Sequence, residues 1–372
     1  MATTNEKIQN QIIGRTVNLL RFDTGLQNQM SARLNQLKRK ITKELRIGGA
    51  GSRTFLQVQT KNQILANIQA TLDDGFADIK TSLERNLFEV AALETELAAT
   101  VVNEKAGVEL VTTSFTAEQL EAAVKFAPLQ GTTVAGALST QARNVQERFQ
   151  RDIVQGVLAG ETNEQIRKNL GNMFNQTNQQ MRALVRTSVQ EVANNARIAT
   201  WEANSNVVKA VQQISTLDDR TTQICIAYSN KIWTLPEYIP VGHDLSWNGG
   251  PPRHWQCRST TTPIVRSFKE LGLDVDEPDE GRRAAKIEDP NDPSSLIGAD
   301  VPAGQDFDEF LNNRGKSFQN ELLGPRRAEL FRAGRISTTD LVDFQGNPLT
   351  LDELKALDKP TPFDSTAALR SL

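Results

Sequence analysis

Every cysteine, histidine, tryptophan and tyrosine of the chain lies between Trp201 and Cys257. Outside that window no residue offers a thiol or an imidazole, and a core must be built from aliphatic side chains and phenylalanine. Trp and Tyr are the bulky amphipathic anchors of compact cores. Long helices need only a repeating aliphatic stripe, so they are the expected solution for the rest of the chain. Composition agrees: 6% aromatic residues, a mean hydropathy of -0.43, and abundant Gln, Asn, Ala and Thr suit helices better than a dense α/β enzyme core.

The 372 residues are enough for two to three domains of about 100 to 200 residues each and for a sizeable core. A net charge of -3 gives no global nucleic-acid signature. No apolar run reaches the roughly 18 residues of a membrane span. The opening thirty residues carry no apolar signal core or small-residue cleavage site, so the expected setting is cytoplasm. Two cysteines are too few for a disulfide framework; in a reducing compartment they read as thiols or metal ligands.

Along the chain, Leu26, Met30, Leu34, Leu37, Ile41 and Leu45 trace one face of a helix that the Gly48 to Gly51 run ends. Ile64, Ile68, Leu72, Phe76, Ile79, Leu83, Leu87 and Val90 trace a second, long helix despite Gly75. The two stripes could cover each other as a hairpin or cover another protein. The basic residues Arg33, Lys38, Arg39, Lys40, Lys43 and Arg46 on the first helix are read as a solvated face. Residues 1–110 are therefore expected to form a helical arm or hairpin.

Beyond Val111 shorter elements are expected, in a helical section over 111–205. Thr116 to Gln119 and Thr162 to Gln165 have the capping-box form, and a stronger helix is predicted from Met181 to Ala203. The period then changes. The β-branched runs from Val207 to Ile214 and from Thr260 to Val265 predict strands within a small β-rich Cys/His subdomain, 206–273. Residues 274–304, rich in Asp, Glu and Pro, read as an exposed linker, and 305–372 as a C-terminal helical segment. The predicted fold is α+β and predominantly helical.

Candidate metal ligands run Cys225, seventeen residues, His243, ten residues, His254, two residues, Cys257. Zinc takes thiolate and imidazole donors at tetrahedral vertices, and His254 with Cys257 supplies two of them from one turn. Cys225 is the third candidate, with Asp218, Asp219 or His243 competing for the fourth place. The alternative is a metal-free core in which both cysteines are small buried hydrophobes and His254 bonds backbone. A Cys-His nucleophile or a His-dependent metal nuclease fits less well, since nothing nearby resembles a nucleophile elbow or an oxyanion loop. The clustered Trp and Tyr residues are expected to be the mini-core of this subdomain.

The stretch Leu217 to Cys225, with Asp218-Asp219-Arg220-Thr221 at its centre, followed by Pro251-Pro252-Arg253-His254-Trp255-Gln256-Cys257-Arg258, resembles the signature of the tailed-phage head morphogenesis proteins. These are the minor capsid proteins of Mu-type and related phages. The upstream helix from Val185 to Arg197 and the downstream segments Leu323 to Phe331 and Leu349 to Leu354 are similar to family members too, so the resemblance covers roughly residues 140 to 355. Many members continue as Cys-Arg-Cys, whereas Ser259 follows Arg258 here. The matched positions are Cys225, His254 and Cys257; His243 is not among them.

What the resemblance implies is a structural, non-enzymatic role. It points to a low-copy protein inside the head at the portal vertex, made in the host cytoplasm and acting in procapsid assembly. It also points to a part in DNA packaging or ejection. Its partners would be the portal protein, capsid or scaffolding proteins and packaged double-stranded DNA, with no membrane and with zinc as the one cofactor to be expected. The competing function is a metal-dependent nuclease or DNA-processing enzyme built on the same cluster.

Overall fold

The structure, a computed structural model, describes residues 4–47, 58–106, 109–112, 115–158, 161, 163–267, 270–271, 282–289, 292–302, 307–343 and 345–357. Three long helices dominate it: α1 (Thr4–Ile47), α2 (Val58–Ala106) and α5 (Asn163–Ala203). They pack pairwise against one another, with α3 (Ala117–Lys125) and α4 (Val134–Leu158) against their flank. The predicted stripes are the reason. Met30, Leu34, Leu37 and Ile41 of α1 share one core with Ile68, Leu72, Ile79, Leu83 and Leu87 of α2 and with Leu170, Met181, Val185 and Val189 of α5.

Two expectations change here. The N-terminal helices are not a separate arm, because α5, expected in a different section, completes their core. The elements do shorten after Val111, to 9 residues in α3 and 25 in α4, but α5 is long again. The helix starts foreseen near Thr162 and Met181 belong to one helix of 41 residues, since no Pro or paired Gly interrupts the sequence between them. Gly75 fits its place inside α2 for a steric reason: a β-carbon there would meet Leu37 Cδ1 at 2.7 Å, so its absence lets α1 come close.

The ends of these helices meet a four-stranded antiparallel sheet of order β5-β4-β3-β6, formed by β3 (Val208–Ile214), β4 (Ile232–Thr234), β5 (Pro240–Val241) and β6 (Thr260–Val265). Both predicted strands belong to it and pair directly, β3 inside the sheet and β6 at its edge. The remaining short strands β1 (Pro128–Leu129) and β2 (Thr132–Thr133) form a turn before α4. Ile8 and Ile12 of α1, Ala98 and Val102 of α2, Ile198 and Trp201 of α5, and Val208, Val211 and Trp233 of the sheet make a second core.

Within 274–304, the segment expected as a linker, β7 (Arg282–Asp289) and β8 (Asp292–Pro302) pair as an antiparallel hairpin. Ala285 and Ile287 in the first run, and Ile297, Ala299 and Val301 in the second, alternate with other residues in that pattern, which the Asp, Glu and Pro content of the flanks obscures. The C-terminal segment is helical as expected. It comprises α7 (Phe307–Asn312), α8 (Lys316–Leu323), α9 (Pro325–Arg332), a 3-10 turn (Thr338–Leu341) and α10 (Leu351–Ala356), which share a third core with α6 (Gln223–Ala227) of the sheet region. Capping boxes close at Thr116 and Thr350.

Bundle and sheet are joined by buried charge. Glu94 of α2, with no exposed surface, accepts from Arg15 Nε of α1 at 2.7 Å and from Arg197 Nε of α5 at 2.6 Å. Arg197, also fully buried, donates onward to Thr260 Oγ1 of β6 at 2.7 Å, and Asn194 Oδ1 accepts from the Thr261 backbone at 3.0 Å. A second buried carboxylate, Asp23, pairs with Arg186 at 2.8 Å. Breaking such a pair leaves a charge stranded in the interior. Arg197→Met is therefore expected to cost ~3–5 kcal/mol in urea denaturation, and Arg15→Met much less because Arg15 keeps solvent contact. Pairing Arg197→Met with Glu94→Gln should recover part of the loss; a single-variant cost below ~1 kcal/mol would contradict the account.

Candidate metal centre

The cluster is assembled from two local structures. The short helix α6 presents Cys225, and the loop from Pro251 to Cys257 turns back through a Cys257 N–H bond to the His254 carbonyl at 3.2 Å, bringing His254 and Cys257 to one side. Gln256 N–H donates to Thr187 Oγ1 of α5 at 3.0 Å, and Gln130 to the Pro252 carbonyl at 3.2 Å, so the loop is anchored from outside. Cys225 Sγ then lies 3.3 Å from His254 Nε2 and 3.5 Å from Cys257 Sγ, and the three ligand atoms fall within 4.8 Å of one another.

The donor chemistry fits a tetrahedral zinc. Bonds of about 2.3 Å to sulfur and 2.0 Å to nitrogen put ligand atoms roughly 3.5 to 3.8 Å apart, close to what is seen. His254 Nδ1 donates to the Trp255 carbonyl at 2.9 Å, which leaves the Nε2 lone pair facing the sulfurs. Without a metal, the three groups share protons. The bond to Cys257 and burial push the Cys225 thiol up, whereas the bond from Cys225 and then His254 hold Cys257 well below its ordinary value. Burial lowers His254, but the bond to Cys257 and its charge outweigh this and leave it raised. A metal would take the place of those protons.

None of the other three candidates, Asp218, Asp219 and His243, joins the group. Asp218 is held by Arg258 in a two-pronged ion pair at 2.6 and 2.8 Å and accepts from the Arg220 backbone and Thr221. Burial raises its carboxyl, but the bond and charge of Arg258 prevail and keep it below the usual range. His243 donates from Nε2 to the Ile232 carbonyl at 2.9 Å, accepts the Leu245 N–H at Nδ1, and stands edge-on to Trp233. Both therefore stabilise the loops around the cluster and supply it no ligand atom.

Residues 147–262 match the family described as Phage Mu protein F like protein. Over those residues the chain is similar to that family. No curated protein and no solved structure matches. The phage Mu protein F like region runs from the second half of α4 through α5 and the sheet to Thr262 in β6, so all three cluster residues and the Arg197 joint fall inside it.

Around the cluster this region holds groups that spacing did not reveal. Arg253 stacks its guanidinium 3.6 Å from the Tyr228 ring centre, with Trp233 and Trp247 beyond, and donates to Gln213 Oε1 at 2.6 Å. Burial pushes its pKa down to about 10, so it stays charged at neutral pH. Its position amid the aromatic residues was the available signal. Trp233 is fully buried and bonds the Leu245 carbonyl, Trp247 stacks on Tyr238, and Trp201 bonds Ala98; Trp255 alone of the four is 45% exposed. The aromatic window is thus mostly mini-core, as expected.

Glu191 of α5 is the second such group. Burial pushes its carboxyl up to about 8, against the bond it accepts from Asn195 at 2.8 Å. An unfolded Glu titrates near about 4.3. The stability that the neutral form contributes is complete below that value and fades as pH rises toward about 8. Glu191→Gln keeps the acceptor and cannot ionise. It should match the parent in chemical denaturation at about pH 4 and be the more stable protein above pH 8; equal or lower stability above pH 8 would refute the assignment.

Proposed function

We propose that the chain is a structural minor capsid protein acting in the head morphogenesis of a tailed phage, associated with the portal vertex, and that the Cys225-His254-Cys257 cluster is a structural metal centre. The observation that carries this reading is the family match over 147–262, which coincides with the unit built from α5, the sheet and the cluster. The cluster's place supports a holding role. It ties α6 to the loop before β6, two segments that share no strand pairing with each other.

Zinc is the metal that suits two thiolates and an imidazole, held by Cys225, Cys257 and His254. In that place it would replace the hydrophobic core that so short a loop segment cannot build. The nuclease alternative draws little from the geometry. The nearest carboxylate in the signature, Asp218, is neutralised by Arg258, and His243 is engaged with backbone on both ring nitrogens. Neither is placed to act as a general base at the cluster.

Partners follow from the proposed role: the portal protein, capsid or scaffolding proteins, and packaged double-stranded DNA, inside the virion and in host cytoplasm during assembly. Parts in packaging and ejection belong to the same proposal. Among the described residues no helix is long and apolar enough to cross a membrane. Because the apolar stripes of α1 and α2 are covered by α5, contacts with such partners would fall on the outer helix faces.

The test is fractionation of phage particles with an antibody to the chain. Low-copy recovery in purified heads and portal-bearing procapsids, and a fall in head yield when its gene is deleted, are expected. Recovery only as free soluble protein, with particle yield unchanged by deletion, would sink the proposal.

A further inference from the structure

The cluster has three protein donors, whereas a closed structural zinc site has four. Among the described residues no further thiol, imidazole or carboxylate atom joins the group, and the two nearest alternatives, Asp218 and His243, are engaged as described. Directly beside it lies a cavity of about 30 Å³ whose walls include Cys225, His254, Thr222, Arg220 and Ser259. That is room for one or two waters, or an anion of two or three atoms, since a water needs roughly 10 to 15 Å³ of such space. A phosphate-sized group would not fit.

We infer that a metal held by Cys225, His254 and Cys257 completes its coordination with one exchangeable, water-sized ligand in this cavity, and that the position is open to small anions. The inference rests on the metal-centre reading above and extends it. The wall chemistry agrees with such an occupant. Ser259 Oγ lies 3.1 Å from Ser215 Oγ, which donates to the Cys225 carbonyl at 2.6 Å, so a polar hydroxyl is fixed in the cavity wall. That hydroxyl can hydrogen-bond a bound water or hydroxide. Arg220 at the rim adds positive charge, which favours an anionic ligand over a neutral one. Arg258, also in the wall, is neutralised by Asp218.

Open positions are the mark of sites where a metal-bound water exchanges or reacts; closed ones are inert. Here the cavity limits the exchange to ligands of two or three atoms. The proposed site is thus structural in its protein ligands and accessible at its fourth vertex.

The experiment uses the full-length chain loaded with cobalt(II), with azide and cyanide as probes. Azide is expected to change the visible d–d absorption saturably at one ligand per metal, and X-ray absorption on the zinc-loaded chain to give two sulfur and two light-atom neighbours. Ser259→Cys, which places a third thiolate at the cavity wall, should raise the sulfur count from two to three and abolish the azide response. A spectrum indifferent to azide and cyanide, or a shell with three sulfurs in the parent chain, would overturn the open position while leaving the metal centre standing. Failure of the parent chain to bind cobalt or zinc would overturn both. The measurements on the parent chain decide the matter even if Ser259→Cys does not fold.

Discussion

Glu94 is a carboxylate withdrawn completely from water, and its two arginine partners come from different helices. An ion in that position is several kcal/mol uphill unless its partners are in place, so the register of α1, α2 and α5 is fixed together. The chain of bonds continues from Arg197 to Thr260 and from Asn194 to Thr261, which sets β6, and through β6 the loop that ends at Cys257. The aliphatic stripes hold the bundle together, but they would tolerate a slide by one turn. The buried charge would not.

That joint explains why the cluster forms where it does. Three ligands separated by up to thirty-two residues converge because α6 and the Pro251–Cys257 loop are each positioned by something else. Helix α6 lies under the third core through Ile226, and the loop is pinned to α5 at Thr187 and stacked through Arg253 on Tyr228. A metal would add the last restraint to segments already brought near.

Much of this was legible in the residues. Regular period made α1, α2, β3 and β6 readable, and Thr116 announced a helix start because capping chemistry is local. The resemblance of the Asp218 and Pro251 stretches singled out Cys225, His254 and Cys257, and the structure brings these three side chains together. What spacing could not give was pairing across the chain. The partner of the N-terminal stripes lies on a helix some hundred residues later, and the Glu94 to Arg197 bond joins residues 103 apart, so neither is written in any local pattern. The β7–β8 hairpin was missed because its flanks are acidic and Pro-rich, and composition over a long window hid two short alternating runs. Asp218 and His243 were plausible ligands by type, and only geometry shows their lone pairs engaged elsewhere.

The central claim is that a metal holds the loop subdomain of this phage Mu protein F like region together. Metal analysis of the purified chain, coupled to thermal unfolding before and after chelation, tests it most directly. The account predicts one zinc per chain, and after chelation an early transition that quenches the Trp233 and Trp247 fluorescence environment while the helical signal of α1, α2 and α5 persists to higher temperature. A metal-free protein whose single transition is unmoved by chelator or by added zinc would contradict it.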